Sequence, residues 1–161
     1  MRGDEGDFND IDTSDITSME LLFNDNKTFN GDITGWNISS VRNMRSMFYG
    51  AELFNQPIGK WDVLSVRYMN NMFYFAKSFN QPIGNWEFPN VENMSGMFWG
   101  ATSFNQPIGD WEFPNVTNMS YMFYGAVSFD QDLSKWDLKG KEKDKIFDGC
   151  PIKDEYKPKM K

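Results

Sequence analysis

Trp86–Asp110 reads WEFPNVENMSGMFWGATSFNQPIGD, and the next 25 residues, Trp111–Lys135, read WEFPNVTNMSYMFYGAVSFDQDLSK. Tryptophan recurs at that interval as Trp36, Trp61, Trp86, Trp111 and Trp136. Self-similarity at a fixed short period marks an architecture in which one repeat cannot bury its apolar side alone and stacks on its neighbours. The spacing therefore predicts a repeat solenoid. Any residue type held in register then becomes a ladder along the stack.

Within the repeat, Ile58-x-x-Trp61-x-Val63 has the L-x-x-L-x-L spacing of a leucine-rich repeat, whose alternate residues point inward from a short strand. This predicts one strand per coil over Lys60–Val63 and its counterparts, stacked into a parallel sheet. Gly59, Gly84 and Gly109 precede it and suit a corner where a side chain would obstruct the next coil. Further on, Met94, Met97, Phe98 and Ala101 stand at i, i+3, i+4 and i+7, the stripe of a short helix. Asn43, Asn93 and Asn118 sit where an N-cap would, and Gly50, Gly100 and Gly125 where the helix would end. Phe75 replaces that glycine in one coil, so its termination is expected to differ. The methionines read as core fillers, not as a metal-binding array.

Next comes Phe-Asn-Gln-Pro-Ile, at Phe54–Ile58, Phe79–Ile83 and Phe104–Ile108. Proline cannot donate to a ladder, so this segment is expected to bend, with Asn55, Asn80 and Asn105 satisfying backbone groups there. The ends are degraded copies. Ile11–Gly35 keeps the scheme with Ile11 in place of tryptophan, and Ile146–Cys150 echoes Met122–Ala126 one residue out of phase. Cys150 thus falls at a small packed position. The division predicted is an N-terminal segment over 1–10, a solenoid of five 25-residue repeats over 11–138, and a lysine-rich cap and tail over 139–161. Five coils at the strand spacing of about 5 Å give a block about 25 Å tall.

Composition narrows the function. Histidine is absent and Cys150 is alone, so neither a zinc ligand set nor a disulfide framework is available. No phosphate-binding loop, dinucleotide fingerprint or serine-nucleophile elbow occurs. Residues 1–138 carry eight Lys or Arg against 18 Asp or Glu, whereas residues 139–161 carry eight Lys against five acids. An acidic body argues against a nucleic-acid backbone as ligand. No apolar run approaches the about 20 residues that span a bilayer, and the start, MRGDEGDFND, lacks the pattern of a secretory signal. No catalytic residue, cofactor or metal site is expected.

The motif W-[DE]-[VF]-x-N-V-x-N-M-x-x-M-F-[YW]-G-A-x-S-F-N-Q-P-I-G, over about Ile11–Trp136, resembles the repeat of the bacterial surface-protein-A-like leucine-rich-repeat family, common in mycoplasma surface proteins. The resemblance implies a surface or secreted protein concerned with adhesion or partner binding, with no shared catalytic residues. The chain departs from it in showing no signal sequence, no lipid-attachment cysteine near the start and no membrane anchor, which leaves the compartment open.

Two ladders are candidate binding faces. Tyr49, Tyr74, Trp99 and Tyr124 follow the Met-Phe pair and project outside the apolar stripe. Exposed aromatics in a row mark interaction sites, for a protein surface or for sugar rings, unless they shield the layer beneath. Asp62, Glu87, Glu112 and Asp137, with Asn37 in the first coil, face out from the predicted strand. Like charges in register repel, so they suit a basic partner or a cation such as calcium, or else serve solubility and edge protection. Arg2-Gly3-Asp4 matches an integrin-recognition tripeptide, a match short enough to arise by chance. The expected function is a non-enzymatic protein-binding or scaffold module, on its own or as a subunit of a larger assembly. The alternative is a surface adhesin that binds host protein or glycan. An ice-binding solenoid would want exposed threonines where this repeat has acids, and a glycosidase pair has no unique pocket here.

Overall fold

A computed structural model describes residues 2–161 of the chain. Consecutive repeats lie one above another. Parallel single-residue bridges join Asp7 to Asp32 and run from Ser18 through Asn43, Tyr68, Asn93 and Asn118 to Glu142. Every step spans 25 residues except the last, from Asn118 to Glu142, which spans 24. One residue has been lost in the final coil, as the phase shift of Ile146–Cys150 indicates.

The coil itself is not the expected one. Among the described residues there is no β-strand and no α-helix, and the one helical element is a 3-10 turn at Asp154–Tyr156. The leucine-rich-repeat-like solenoid of strand plus helix is overturned in both parts. At the predicted strand Lys60–Val63, turns crowd in from either side. Trp61 N–H donates back to Ile58 O at 3.1 Å, and Val66 N–H to Val63 O at 3.0 Å. The few residues between them are too short a run for a ladder, and Pro89 and Pro114 in equivalent coils have no N–H to give. Side chains bridge the coils there instead: Asn85 Nδ2 donates to Gly59 O at 2.9 Å and Asn90 Nδ2 to Leu64 O at 2.8 Å.

The predicted helix over Met94–Ala101 fails for a different reason. A helix would send Phe98 N–H to Met94 O. Instead the N–H groups of Met94, Gly96, Phe98 and Gly100 donate to Asn118, Ser120, Met122 and Tyr124 of the next coil, at 2.8–2.9 Å. Those of Met97, Trp99 and Ala101 close tight turns on Met94, Gly96 and Phe98. The alternation needs residues of left-handed conformation: Gly96 and Gly100 have φ of 60° and 65°, and Ser46/Gly50, Asn71/Phe75 and Tyr121/Gly125 repeat the pair. A positive φ at the third position is the mark of a type II turn, and it rotates alternate peptide groups to face along the stack. A run of such turns gathers i, i+3, i+4 and i+7 on one side as a helix does. Asn93 and Asn118 serve this run by accepting the N–H of Ser95 and Ser120, each at 2.9 Å. Phe75 keeps the pattern, with φ 51° and its N–H on Trp99 O at 2.7 Å, so the coil end there does not differ as expected.

These turns aim the apolar residues inward. Val66, Met69, Met72, Phe73, Ala76 and Phe79 and their counterparts in the neighbouring coils are almost wholly buried. Two phenylalanine columns interleave: Phe48 lies 3.9 Å from Phe54 within a coil, 5.6 Å from Phe73 in the next, and Phe54 lies 6.0 Å from Phe79. Trp61, Trp86, Trp111 and Trp136 are 3–4% exposed, while Trp36 is half-buried. Trp61, Trp111 and Trp136 donate their indole N–H to Ile33, Ile83 and Ile108 carbonyls at 3.1–3.3 Å. The indole N–H of Trp86 is buried without a partner.

Asparagine completes the stack. Asn30, Asn55, Asn80 and Asn105 each accept, through Oδ1, the N–H of the residue 25 further on and the side-chain N–H of the glutamine beyond it. They satisfy the backbone of the next coil, not of their own bend. A Cβ on Gly59 would strike the carbonyl of Pro82, so the next coil approaches the backbone too closely there for a side chain. Cys150 is half-buried, its thiol donates to Phe129 O at 3.3 Å, and burial pushes its pKa up, which makes it a poor nucleophile.

Candidate functional site

Each aromatic of the first candidate face follows a fully buried phenylalanine in the turn run, which directs it to the outside of the coil. Tyr49, Tyr74, Trp99 and Tyr124 are all half-buried. They form one column: Tyr49 and Tyr74 stack at 4.4 Å and 4°, Tyr74 and Trp99 lie 5.1 Å apart at 42°, and Trp99 and Tyr124 4.7 Å apart at 43°. Two residues that the sequence reading did not place on this face join it. Tyr121 stacks on Trp99 at 5.0 Å and 18°, and Phe75 meets Tyr74 edge-on at 4.8 Å. Both are departures from the repeat: Tyr121 stands where other coils hold Leu21, Ser46, Asn71 and Gly96, and Phe75 where they hold Asp25, Gly50, Gly100 and Gly125. That departure was the signal available.

Because the rings stack on one another, their π faces are largely spent within the column. What remains outward is ring edges and hydroxyls. Burial, and then the neighbouring Tyr49, hold the Tyr74 phenol above its ordinary pKa, so it stays a hydrogen-bond donor across the physiological range.

The acidic set divides. Asp62, Glu87, Glu112 and Asp137 are exposed, as is Asn37. Asn37, Asp62 and Asp137 each accept the backbone N–H two residues on, at 3.0–3.1 Å, and so cap the turn that follows. Glu87 and Glu112 stand two residues before Pro89 and Pro114, which have no N–H, and there the longer acid replaces the capping one. Glu87 and Glu112 line a shallow groove with Asp110, Pro89 and Pro114. Lys135 pairs with Asp110 at 2.8 Å, and Lys141 donates to the carbonyls of Phe113 and Val116 at 2.8 Å. Among the described residues no group of three or more Cys, Asp or Glu is placed to hold a metal ion. The Arg2-Gly3-Asp4 tripeptide is tied down: Arg2 pairs with Asp10, and Asp4 receives the Thr28 hydroxyl and, at its carbonyl, Asn30 N–H at 2.8 Å.

The chain matches the family described as Mycoplasma protein of unknown function, DUF285, over residues 2–103 and again over 58–155. It belongs to that family. The two overlapping matches fit a family built of repeats, and it is not the leucine-rich-repeat family that the motif resembles. No curated protein and no solved structure matches. No helix among the described residues is long and apolar enough to cross a membrane.

Proposed function

We propose that the protein is a non-enzymatic binding or scaffold module that meets a protein partner through Tyr49, Tyr74, Trp99 and Tyr124, extended by Phe75 and Tyr121. The observation that carries this reading is a continuous aromatic column lying outside a core that is already closed. Large aromatics at a surface are the residues that dominate interface energetics. Self-stacking favours protein over sugar: glycan recognition wants open ring faces, and here neighbours occupy them. The acidic body disfavours nucleic acid. The second reading, a surface adhesin, rests on the likeness of the repeat motif to surface-protein-A-like repeats and on membership of a mycoplasma family.

Co-purification from the native source, with wild-type and Trp99→Ala baits, tests the first reading. The wild-type bait retains a protein that the variant loses, by about 2 kcal/mol or more of binding, at a temperature where both baits are folded. Equal recovery by both baits would move the binding face elsewhere.

A further inference from the structure

Throughout the stack, carbonyls at two-residue spacing accept N–H groups from the coil below. Asn43, Arg45, Met47 and Tyr49 accept from Met19, Leu21, Phe23 and Asp25 at 2.6–3.0 Å, and Asn118, Ser120, Met122 and Tyr124 accept from the coil before them in the same way. In the first coil the equivalent carbonyls are those of Ser18, Glu20, Leu22 and Asn24. No N–H among the described residues reaches them. Asp4–Phe8 cover only the other half of that coil, through Asn30 N–H to Asp4 O, Asp32 N–H to Gly6 O and Phe8 N–H to Asp32 O.

The same half-coil is open in its side chains. Ile16 is 41% exposed and Leu22 48%, whereas Val41 and Met47, one coil on, are 0%. Leu21 is 49% exposed at φ 59°, a conformation leucine adopts at a cost. Residues 2–25 carry eight carboxylates against Arg2 alone.

We propose that Thr17–Asp25 is a docking edge that takes one extended, cationic peptide segment of a partner protein, laid parallel to it as a further half-coil. Its alternate N–H groups donate to Ser18, Glu20, Leu22 and Asn24, its apolar residues cover Ile16 and Leu22, and its cations meet the acidic end. Backbone pairing supplies affinity and the side chains supply selectivity, as in strand addition to an exposed sheet edge. A second copy of the chain fits poorly. Two such edges facing each other present acceptor to acceptor and acid to acid. Head to tail, Lys153–Tyr156 of one copy take the level that Asp4–Phe8 of the next already fill, since Leu133 N–H is bound to Tyr156 O as Phe8 N–H is to Asp32 O, which sets Tyr156 in the register of Asp32 and Asp7.

The peptide Val41–Gly50, acetylated and amidated, is a suitable probe, because it has the spacing of Met44, Ser46, Phe48 and Gly50 N–H donors and carries Arg42 and Arg45. With a fluorescent label it binds the full chain in anisotropy titrations, weakens with added salt, and shifts amide resonances of residues 17–25. N-methylation at Met44 and Phe48 weakens it at least tenfold, and so does Leu22→Asp in the protein, or Leu21→Glu should the first variant melt early. Absence of binding at millimolar peptide, or indifference to N-methylation, overturns the proposal. Concentration-dependent dimerisation abolished by Leu22→Asp would assign the edge to a second copy and overturn it equally.

Discussion

The backbone N–H of Asn80 donates to Oδ1 of Asn55, one coil earlier, at 3.0 Å. The Gln81 amide donates to the same oxygen and to the Asn55 carbonyl, both at 3.1 Å. One side chain thus serves two donors of its neighbour. Asn55→Ala leaves both without that acceptor and should cost about 1–3 kcal/mol. Asn55→Asp keeps the acceptor, as Asp130 does for Lys153 N–H at the end of the ladder, and should cost markedly less. Denaturant melts of the two variants check the difference.

Trp86 and Trp111 occupy the same register and are 3% and 4% exposed, yet only Trp111 has an indole partner. Trp111→Phe removes that bond and leaves the Ile83 carbonyl with the Trp86 backbone N–H alone, so it should be worse than Trp86→Phe by about 1 kcal/mol. Both alanine variants should lose about 3–5 kcal/mol as cavities in the core. Equal costs for the two phenylalanine variants would mean that the Trp111 bond contributes nothing.

Gly100 and Gly125 share a left-handed conformation, φ 65° and 66°, but differ in surroundings. A Cβ on Gly100 would run into the Phe75 ring, and one on Gly125 meets nothing within 4 Å. Gly125→Ala should cost the conformational penalty alone, about 1–2 kcal/mol. Gly100→Ala should cost more. Thermal melts that rank them the other way would contradict the packing of Phe75 on the next coil.

Asp32 accepts the Thr34 backbone N–H at 3.0 Å and its hydroxyl at 2.7 Å, which hold its carboxyl below the usual range, the backbone bond most of all. A carboxyl with a lowered folded pKa stabilises fully above its unfolded value of about 4, and that contribution fades as pH falls through the folded value. Urea melts from neutral to strongly acidic pH should show Asp32→Asn losing less stability on acidification than the wild type.

The period, the inward residues and the stacking direction were legible in the sequence, because a 25-residue repeat of Trp, Val, Met and Phe admits few other arrangements. The secondary structure was not. The Met94–Ala101 stripe fits a helix and a run of turns equally, and what separates them is the positive φ at Gly96 and Gly100, which glycine permits but does not announce. Residues such as Ser46, Asn71 and Tyr121 at that position concealed it further. At the candidate face, the column Tyr49–Tyr74–Trp99–Tyr124 followed from register alone. Tyr121 and Phe75 did not, since each occurs once and only the fold brings them against the column. The open edge at Ser18–Asn24 was invisible for a related reason: backbone groups leave no mark in a sequence.

The destination of the Phe98 amide tests the whole arrangement. In the stacked coil it donates to Met122 O at 2.9 Å, while in a helix it would donate to Met94 O. Scalar coupling through the hydrogen bond, read by NMR on isotope-labelled protein, should connect Phe98 N to the carbonyl carbon of Met122. A correlation to the carbonyl carbon of Met94 instead would contradict the turn-built stack.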